Sequence, residues 1–421
     1  MATTPSIASE TLIPRPEYLD RLIYWQDKNI IKVITGVRRC GKSTLLKLMQ
    51  EHLRQSGVTP PQIQAFNFED VGHAALIDYK QLHQQILANI VPDQANYIFL
   101  DEVQQVPQFQ KMVASLMLRK NIDVYITGSN AYLLSGDLAT HLTGRYIEIM
   151  MLPFSFKEYV TAIQATLPAP EKPRTLPEYY QDYIQQSGFP FAYQIDALER
   201  RRDYLKMIVD SVLLKDVINH HRIDNPTDLA RLIVYLSDTI GSITSPRGIA
   251  GAITARGQKM DARTIEKYLQ AIESSFLFYR AQGQDIEGKQ IFKNEKKYYL
   301  VDLGLRQCLL AKPDRAYGRI LENVVFLELL RRDYHVFIGR FKDIEIDFVA
   351  TKDGQVEYFQ VAASVLDEAT LERELRPLQL IEDNFPKYIL STDYLPASNY
   401  EGIKLVNVFA WLMDTPHPSA T

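Results

Sequence analysis

The sequence predicts an α/β fold whose core is a parallel β-sheet with helices on both faces. Two observations support this prediction. Short apolar runs alternate with helical stretches up to about residue 160, and polar or acidic residues follow several of these runs directly. Strands buried on both faces are apolar almost throughout, and such sheets bind ligands at the carboxyl ends of their strands. We therefore expect a ligand site at those ends.

The first apolar run, residues 30–35, leads into the segment Gly-Val-Arg-Arg-Cys-Gly-Lys-Ser and then into a helical run. The segment matches the phosphate-binding P-loop pattern, in which glycines let backbone N–H groups close around phosphates at a helix N-terminus. Lys42 would reach the β- and γ-phosphates of ATP, and the Ser43 hydroxyl would bind Mg²⁺. The predicted nucleotide-binding residues are Gly36, Val37, Arg38, Arg39, Cys40, Gly41, Lys42, Ser43 and Thr44.

A second apolar run, residues 96–100, ends in the acidic pair Asp101 and Glu102. Carboxylates are expected in a buried strand only at its carboxyl end, where the ligand would lie. Asp101 would hold Mg²⁺ through water, and Glu102 would polarise the water that attacks the γ-phosphate. The pair therefore predicts that ATP is hydrolysed and not merely bound.

A third run, residues 123–127, is followed by Gly-Ser-Asn. If this strand lies between the other two, a polar side chain at its end would face the γ-phosphate. Ser129 is the first choice for this sensor position, and Asn130 and Thr127 are alternatives. Arg145 precedes a further strand-like run and could stabilise negative charge on a nucleotide bound by a neighbouring subunit. On the residues alone, an ordinary surface arginine is an equal alternative.

The composition is that of a large globular protein. The chain has 421 residues, of which 46% are hydrophobic and 23% charged, enough for roughly two to four domains. Its net charge of −4 means that any nucleic-acid site must be a local basic patch. Cys40 and Cys308 form no disulfide framework, and neither a signal peptide nor a membrane-spanning apolar run is evident. We therefore expect a cytoplasmic protein without a membrane partner.

Four segments follow from the pattern. An ATPase domain is expected over residues 1–160 and a helical lid or connector over 161–222. Three short helices and a hairpin over 223–297 have the outline of a winged helix, and 298–421 form the last domain. A winged helix can place one helix in a DNA groove with lysines on phosphates. The candidate DNA-binding residues are Arg256, Lys259, Arg263, Lys267, Lys289 and Lys293. Acidic neighbours dilute this patch, so packing against the ATPase domain or a protein partner is the alternative.

Taken together, the motifs resemble prokaryotic AAA-type (AAA+) ATPases with a C-terminal restriction-endonuclease-like domain of unknown function. The matching segments are residues 36–43, 99–102, 126–130, 144–145, 152–158, 297–306, 345–349, 372–374 and 383–388. The resemblance implies that Arg145 is an arginine finger and that the protein forms a homo-oligomer, such as a hexameric ring.

A nuclease site of that kind needs an Asp at one strand end and Glu-x-Lys on the next, so that carboxylates bind Mg²⁺ and the lysine assists the attacking water. Asp347 is in place, but Gln360 stands where the Glu is needed and Ala362 where the Lys is needed. Glu322 and Glu345 are weaker candidate ligands. The sequence thus predicts a nuclease fold without nuclease activity, which binds DNA or packs against a partner.

The overall prediction is an oligomeric AAA+ ATPase that uses ATP and Mg²⁺ to move on DNA, as a helicase or branch-migration motor. The alternative is a nucleotide-switched regulator or adaptor that binds a protein partner. Salt-sensitive DNA binding and DNA-stimulated ATPase would distinguish them, because phosphate contacts release counterions.

Overall fold

The computed structural model describes most of the chain in two compact units. The first unit comprises residues 1–36 and 41–151, and the second comprises 37–40 and 152–421. The residues described are 12–134, 142, 144–166, 172–218, 221, 223–255, 257, 260–288, 290–311, 316–395 and 398–414. Within these ranges, no helix is long and apolar enough to cross a membrane.

The first unit is built on a five-stranded sheet. Its strands are β1 (Ile31–Thr35), β2 (Ile63–Asn67), β3 (Asn96–Asp101), β4 (Ile122–Gly128) and β5 (Tyr146–Met150). Its helices are α1 (Pro16–Tyr24), α2 (Lys42–Gln55), α3 (Tyr79–Ala88) and α4 (Phe109–Leu116). Short 3₁₀ turns occupy Pro60–Gln62, Val71–Leu76, Val103–Gln105 and Ala131–Leu134.

All strand pairings in this sheet are parallel, and the order is β2-β3-β4-β1-β5. Strand β4 therefore lies between β1 and β3, as expected. The residues of β1, β3 and β4 are buried throughout, which explains why their sequences are apolar runs and not alternating patterns. The predicted parallel α/β core is confirmed.

Polar residues near the amino ends of β1 and β4 break the apolar pattern. The buried ammonium group of Lys32 pairs with Asp123, and the Tyr125 hydroxyl donates to the same carboxylate at 2.9 Å. Burial lowers the pKa of Lys32, and the charge of Asp123 opposes this shift. Buried charges are tolerated when they are paired in this way, so the cluster favours the observed register of β1 against β4.

The second unit combines helices with an eight-stranded sheet. Its helices are α5 (Phe156–Thr166), α6 (Leu176–Gln186), α7 (Leu198–Ser211), α8 (Pro226–Asp238), α9 (Pro246–Ala255), α10 (Ala262–Ser274), α11 (Leu303–Leu309), α12 (Tyr317–Arg331), α13 (Glu368–Gln379) and α14 (Val408–Met413). A π-helical segment, Val212–Ile218, continues α7, and a 3₁₀ turn spans Ala192–Gln194.

The strands of this unit are β6 (Phe278–Asp285), β7 (Ile291–Leu300), β8 (His335–Phe341), β9 (Ile344–Lys352), β10 (Gln355–Ala362), β11 (Lys387–Ser391), β12 (Ser398–Tyr400) and β13 (Ile403–Asn407). They are arranged in the order β12-β13-β11-β10-β9-β8-β6-β7. The sheet is mixed, because β6 pairs with β8 in parallel and with β7 antiparallel.

The three helices and the hairpin expected over residues 223–297 are present as α8, α9, α10, β6 and β7. Asp261 caps α10 by accepting hydrogen bonds from Arg263 N at 2.9 Å and Thr264 N at 3.0 Å. The hairpin differs from a free wing, because β6 continues into the sheet that contains the C-terminal strands. Strand β7 also runs through residues 297 and 298, where the sequence pattern placed a boundary.

The motif Asp-Leu-Gly-Leu-Arg at residues 302–306 has a structural role within the second unit. The buried Asp302 carboxylate accepts from Gly188 N at 2.7 Å and from Leu305 N at 3.2 Å. A side chain at Gly304 would collide with Ser187, so this close approach requires glycine. Burial raises the pKa of Asp302 to about 6 despite these hydrogen bonds. The motif therefore joins the start of α11 to the loop that follows α6.

Candidate nucleotide site

The loop that joins β1 to α2 has the backbone that a phosphate loop needs. Gly36 and Gly41 adopt φ angles of 143° and 110°, in the region that favours glycine, and Arg39 also has a positive φ of 67°. The loop ends at Lys42, the first residue of the 14-residue helix α2. Backbone N–H groups at such a helix terminus attract anions. The local backbone therefore has the geometry that a phosphate site needs.

Residues 37–40, in the middle of this loop, belong to the second unit and have contacts within it. Arg38 makes a bidentate ion pair with Asp216 in the π-helical segment, with Nε–Oδ2 and Nη2–Oδ1 distances of 2.7 and 3.0 Å. Val37 and Cys40 are fully buried, and Cys40 and Cys308 are both free thiols. The predicted contact of residues 37–40 with a nucleotide stays a prediction. The sequence did not point to Asp216, which is 178 residues away from Arg38.

Lys42 is buried and lies between the P-loop and the acidic pair. Its ammonium group donates to Gly36 O at 3.0 Å and lies 3.5 Å from Glu102 Oε1. Ser43 is exposed in the first turn of α2, and its hydroxyl is close enough to Asp101 to lower the pKa of that carboxylate. The residues predicted to contact phosphate and Mg²⁺ are therefore close together.

Asp101 ends β3 and is buried next to β4. Thr127 Oγ1 donates to Asp101 Oδ1 at 2.5 Å. Burial raises the pKa of Asp101, while hydrogen bonds from Thr127 and Ser43 lower it. Thr127 thus supports the carboxylate that was predicted to hold the metal ion.

Glu102 follows Asp101 in a left-handed conformation, with φ of 56°, and is also buried. Its N–H donates to Thr127 Oγ1 at 2.9 Å, so one threonine hydroxyl contacts both members of the acidic pair. Ser129 Oγ donates to Glu102 Oε2 at 3.0 Å, and Gln104 Nε2 donates to the same oxygen at 2.5 Å. Sequence reasoning missed Gln104, although it is a polar residue two positions beyond Glu102. Asn130, another sensor candidate, is buried.

Arg145 lies outside this group of residues. It is exposed, and its carbonyl oxygen accepts from Ile31 N at 2.9 Å at the start of β1. Its side chain makes no ion pair with any residue in the described ranges. A role for Arg145 at the nucleotide therefore requires a second subunit, and it stays a prediction.

The candidate DNA-binding residues are described in part. Arg263 and Lys267 are exposed on α10, and Lys267 Nζ lies 3.2 Å from Asp224 Oδ2. Arg256, Lys259, Lys289 and the side chain of Lys293 lie outside the described residues. Of the six candidates, the structure therefore describes the side chains of two, and both lie on the same helix.

A second cluster of charged residues lies in the eight-stranded sheet and α12. The buried Lys297 ammonium group is 2.7 Å from Glu322 Oε1 and 2.7 Å from Glu345 Oε1. The Tyr299 hydroxyl donates to Glu322 Oε1 at 2.7 Å. The sequence pattern had considered Glu322 and Glu345 as metal ligands, but the Lys297 ammonium group from β7 forms an ion pair with each of them.

Asp347 and Gln360 are neighbours in this sheet. Asp347 N donates to Gln360 Oε1 at 2.7 Å, and Gln360 Nε2 donates to Glu374 Oε2 at 2.9 Å. Burial raises the pKa of Asp347 to about 8, and the charge of Glu322 adds to this shift. Gln360 thus connects the Asp347 backbone to a glutamate that the sequence did not indicate. In the described part of the chain, no three Asp, Glu, His or Cys side chains are arranged to hold a metal ion.

The parallel sheet, the P-loop and the acidic pair at the end of β3 define a P-loop ATPase core of the AAA+ class, which binds nucleotide. A family model described as an AAA domain matches residues 28–160, and a domain of unknown function matches residues 177–316. The chain is 37% identical over 406 residues to an uncharacterized protein of Haemophilus influenzae, with 96% of this chain and 100% of the relative covered. It belongs to the same family as that protein.

Two further proteins are similar to this chain. An uncharacterized protein of Methanocaldococcus jannaschii is 29% identical over 357 residues, which cover 83% of this chain and 78% of the relative. Among solved structures, a Walker-type ATPase of Pyrococcus abyssi matches with a TM-score of 0.48 and 15% identity, over 73% of this chain and 99% of that chain. The descriptions of the two sequence relatives name no substrate or partner.

Proposed function

We propose that this protein is an AAA+ ATPase that hydrolyses ATP with Mg²⁺ and acts on DNA as an oligomeric motor. The observation that carries the hydrolysis is the position of Glu102. Its carboxylate is buried beside the P-loop lysine and is held by Ser129 and Gln104. A carboxylate in this place can take a proton from water at the γ-phosphate.

The loop backbone and Lys42 would bind the phosphates of ATP. In the structure Lys42 contacts Gly36 O and Glu102, so its charge is already directed at the acidic pair. An ATP γ-phosphate would compete with Glu102 for this ammonium group, because both are anions. We therefore expect nucleotide binding to weaken the contact between Lys42 and Glu102 and to free the carboxylate for water.

The residues that would hold Mg²⁺ are Ser43 and Asp101, and the Ser43 hydroxyl is close enough to lower the pKa of the Asp101 carboxylate. Hydroxyl and carboxylate oxygens are the hard donors that Mg²⁺ prefers, so the site fits this ion. When bound, the ion would neutralise negative charge that develops on the phosphates. Thr127 keeps Asp101 in position through its hydroxyl.

Oligomerisation is proposed from the exposure of Arg145 together with its predicted role as an arginine finger. A finger residue must approach the γ-phosphate, and Arg145 makes no ion pair with the described residues of its own chain. A ring would bring Arg145 of one subunit to the nucleotide of the next.

The proposed action on DNA is supported by helix α10, which is capped by Asp261 and exposes Arg263 and Lys267. The helix belongs to the winged-helix-like arrangement of α8, α9, α10 and the β6–β7 hairpin. The second candidate function is a nucleotide-switched adaptor for a protein partner. The pairing of Lys267 with Asp224 and the net charge of −4 favour it, because both weaken attraction to DNA.

ATPase rates with and without single-stranded, duplex and branched DNA distinguish these two functions. For a DNA motor we expect DNA to raise the ATPase rate. The logarithm of the DNA-binding constant should fall linearly with the logarithm of the salt concentration. An Arg263→Ala/Lys267→Ala variant should lose both the DNA binding and the stimulated ATPase rate. Lys111→Ala is the matched control, because Lys111 is exposed on α4 of the other unit. Hydrolysis that is unaffected by every DNA, with no salt-dependent binding, would favour the adaptor.

We also propose that the C-terminal domain has a nuclease-like fold without nuclease activity. Lys297 lies between Glu322 and Glu345 in the position of a counter-cation, and Gln360 replaces a carboxylate next to Asp347. A neutral amide is a poor Mg²⁺ ligand, and an internal ammonium group repels a divalent ion. This domain would therefore bind DNA or a partner and would not cleave DNA.

A further inference from the structure

Gln104 contacts the proposed catalytic carboxylate directly. It lies in the 3₁₀ turn Val103–Gln105, which begins immediately after Glu102. Its Nε2 atom is 2.5 Å from Glu102 Oε2 and 3.5 Å from Ser129 Oγ. Glu102, Gln104 and Ser129 therefore form one hydrogen-bonded group at the ends of β3 and β4.

The orientation of the Gln104 amide follows from the chemistry of its partner. An ionised carboxylate only accepts hydrogen bonds, so the N–H side of the amide must face Glu102 and the carbonyl oxygen must face away. The carbonyl oxygen lies next to Gly128, where an added Cβ would be 3.1 Å from it. A side chain at residue 128 would also collide with Leu133, so the space that Gln104 occupies depends on glycine.

This orientation leaves a buried acceptor unsatisfied. In the described part of the chain, no donor reaches Gln104 Oε1, and the atom is buried. The cost of an unpaired buried acceptor is similar in size to the contribution of a hydrogen bond to a charged group. Gln104 therefore brings little net stability, and its clearest effect is to fix the direction of Glu102.

We propose that Gln104 is a positioning residue for ATP hydrolysis, which orients Glu102 toward the attacking water. This inference rests on the proposed function, in which Glu102 acts on that water. The water oxygen forms a bond to the γ-phosphorus as the bond to the β–γ bridging oxygen breaks, and Glu102 takes up a water proton. ADP and inorganic phosphate are the products. A misdirected Glu102 would slow this step without changing how ATP binds.

The test is Gln104→Leu, which keeps the approximate shape and removes both polar atoms. We expect kcat to fall about 10- to 100-fold while KM for ATP changes less than about twofold, since about 1 Å of misplacement can cost a factor of 10². We expect the melting temperature to stay the same or rise, because the unsatisfied oxygen is removed as well. A residue with a merely structural role would show the opposite pattern, a lower melting temperature with unchanged turnover.

Two companion variants make the result specific. Gln105→Leu is the matched control, because Gln105 is exposed in the same turn, and it should keep normal kcat. Gln104→Glu places a second carboxylate beside Glu102. The acid limb of the pH–rate profile should then move to higher pH, because neighbouring carboxylates do not both ionise readily.

Glu102→Gln separates this inference from the proposed function. If Glu102→Gln is inactive but Gln104→Leu and Gln104→Glu turn over ATP like the wild type, the positioning role is wrong and the proposed ATPase stands. If Glu102→Gln itself retains full activity, the proposed function of this site fails. A kcat loss in Gln104→Leu that merely follows its fraction of unfolded protein would also overturn the positioning role.

Discussion

Replacing Glu102 by Gln tests the proposed hydrolysis most directly. The substitution preserves the size of the side chain but exchanges one carboxylate oxygen for an amide nitrogen. In the structure Oε2 accepts from Ser129 and Gln104, and Oε1 faces Lys42 at 3.5 Å. The amide oxygen can keep the first two contacts, so the contact with Lys42 is the one lost.

Two magnitudes follow from this geometry. Loss of a positioned general base lowers the rate by about 10²- to 10⁴-fold, which corresponds to a barrier about 3–5 kcal/mol higher. Loss of the ion pair with Lys42 should cost about 3–5 kcal/mol of stability, as for removal of one partner of other buried ion pairs. ATP affinity should be retained or rise slightly, because Lys42 no longer divides its charge between Glu102 and the phosphates.

The assay combines nucleotide binding with single-turnover hydrolysis. We expect Glu102→Gln to bind ATP and to hydrolyse it at least ~100-fold more slowly than the wild type. Lys42→Ala should instead abolish tight ATP binding, because it removes the phosphate-contacting charge. Wild-type turnover in Glu102→Gln would show that another group activates the water, and the assignment of the catalytic carboxylate would be refuted.

Three further predictions concern the remaining charged residues. The Arg145→Ala variant should bind ATP without hydrolysing it, and mixing this variant with Glu102→Gln subunits should restore some ATP hydrolysis. Normal hydrolysis by wild-type protein that stays monomeric in light scattering would contradict the arginine-finger role. No linear, branched or single-stranded DNA should be cut with Mg²⁺ or Mn²⁺, and Asp347→Ala should leave ATP hydrolysis largely unchanged; metal-dependent cutting that disappears in this variant would reverse the prediction. The pKa of Asp347 is raised to about 8 from an ordinary value near 3.8, so the folded state keeps this carboxyl protonated up to a higher pH than the unfolded state does. The contribution of the protonated Asp347 carboxyl to the free energy of unfolding is complete below about pH 4 and is lost as the pH rises through about 8. In urea unfolding, Asp347→Asn should therefore lose less stability between pH 5 and 8 than the wild type, and equal losses would contradict the shift.

Local sequence was enough to predict the parts of this protein that depend on neighbouring residues. The P-loop follows from glycines at fixed spacing, and the buried strands follow from continuous apolar runs that reflect burial on both faces. The Asp261 cap of α10 is equally local, because its hydrogen bonds reach residues two and three positions further on. In each case the interacting groups are close in the chain, so their spacing is visible in the sequence.

The tertiary structure decided which distant charges meet. Lys297 pairs with Glu322 across 25 residues, and Arg38 pairs with Asp216 across 178, because the sheet and helices bring them together. Neither separation corresponds to a helical or strand period, so no local pattern indicates these pairs. The orientation of Gln104 toward Glu102 likewise depends on Ser129 and on the space beside Gly128, which β4 provides. The sequence by itself identified the type of site, whereas packing between elements determined which side chains position and neutralise its charges.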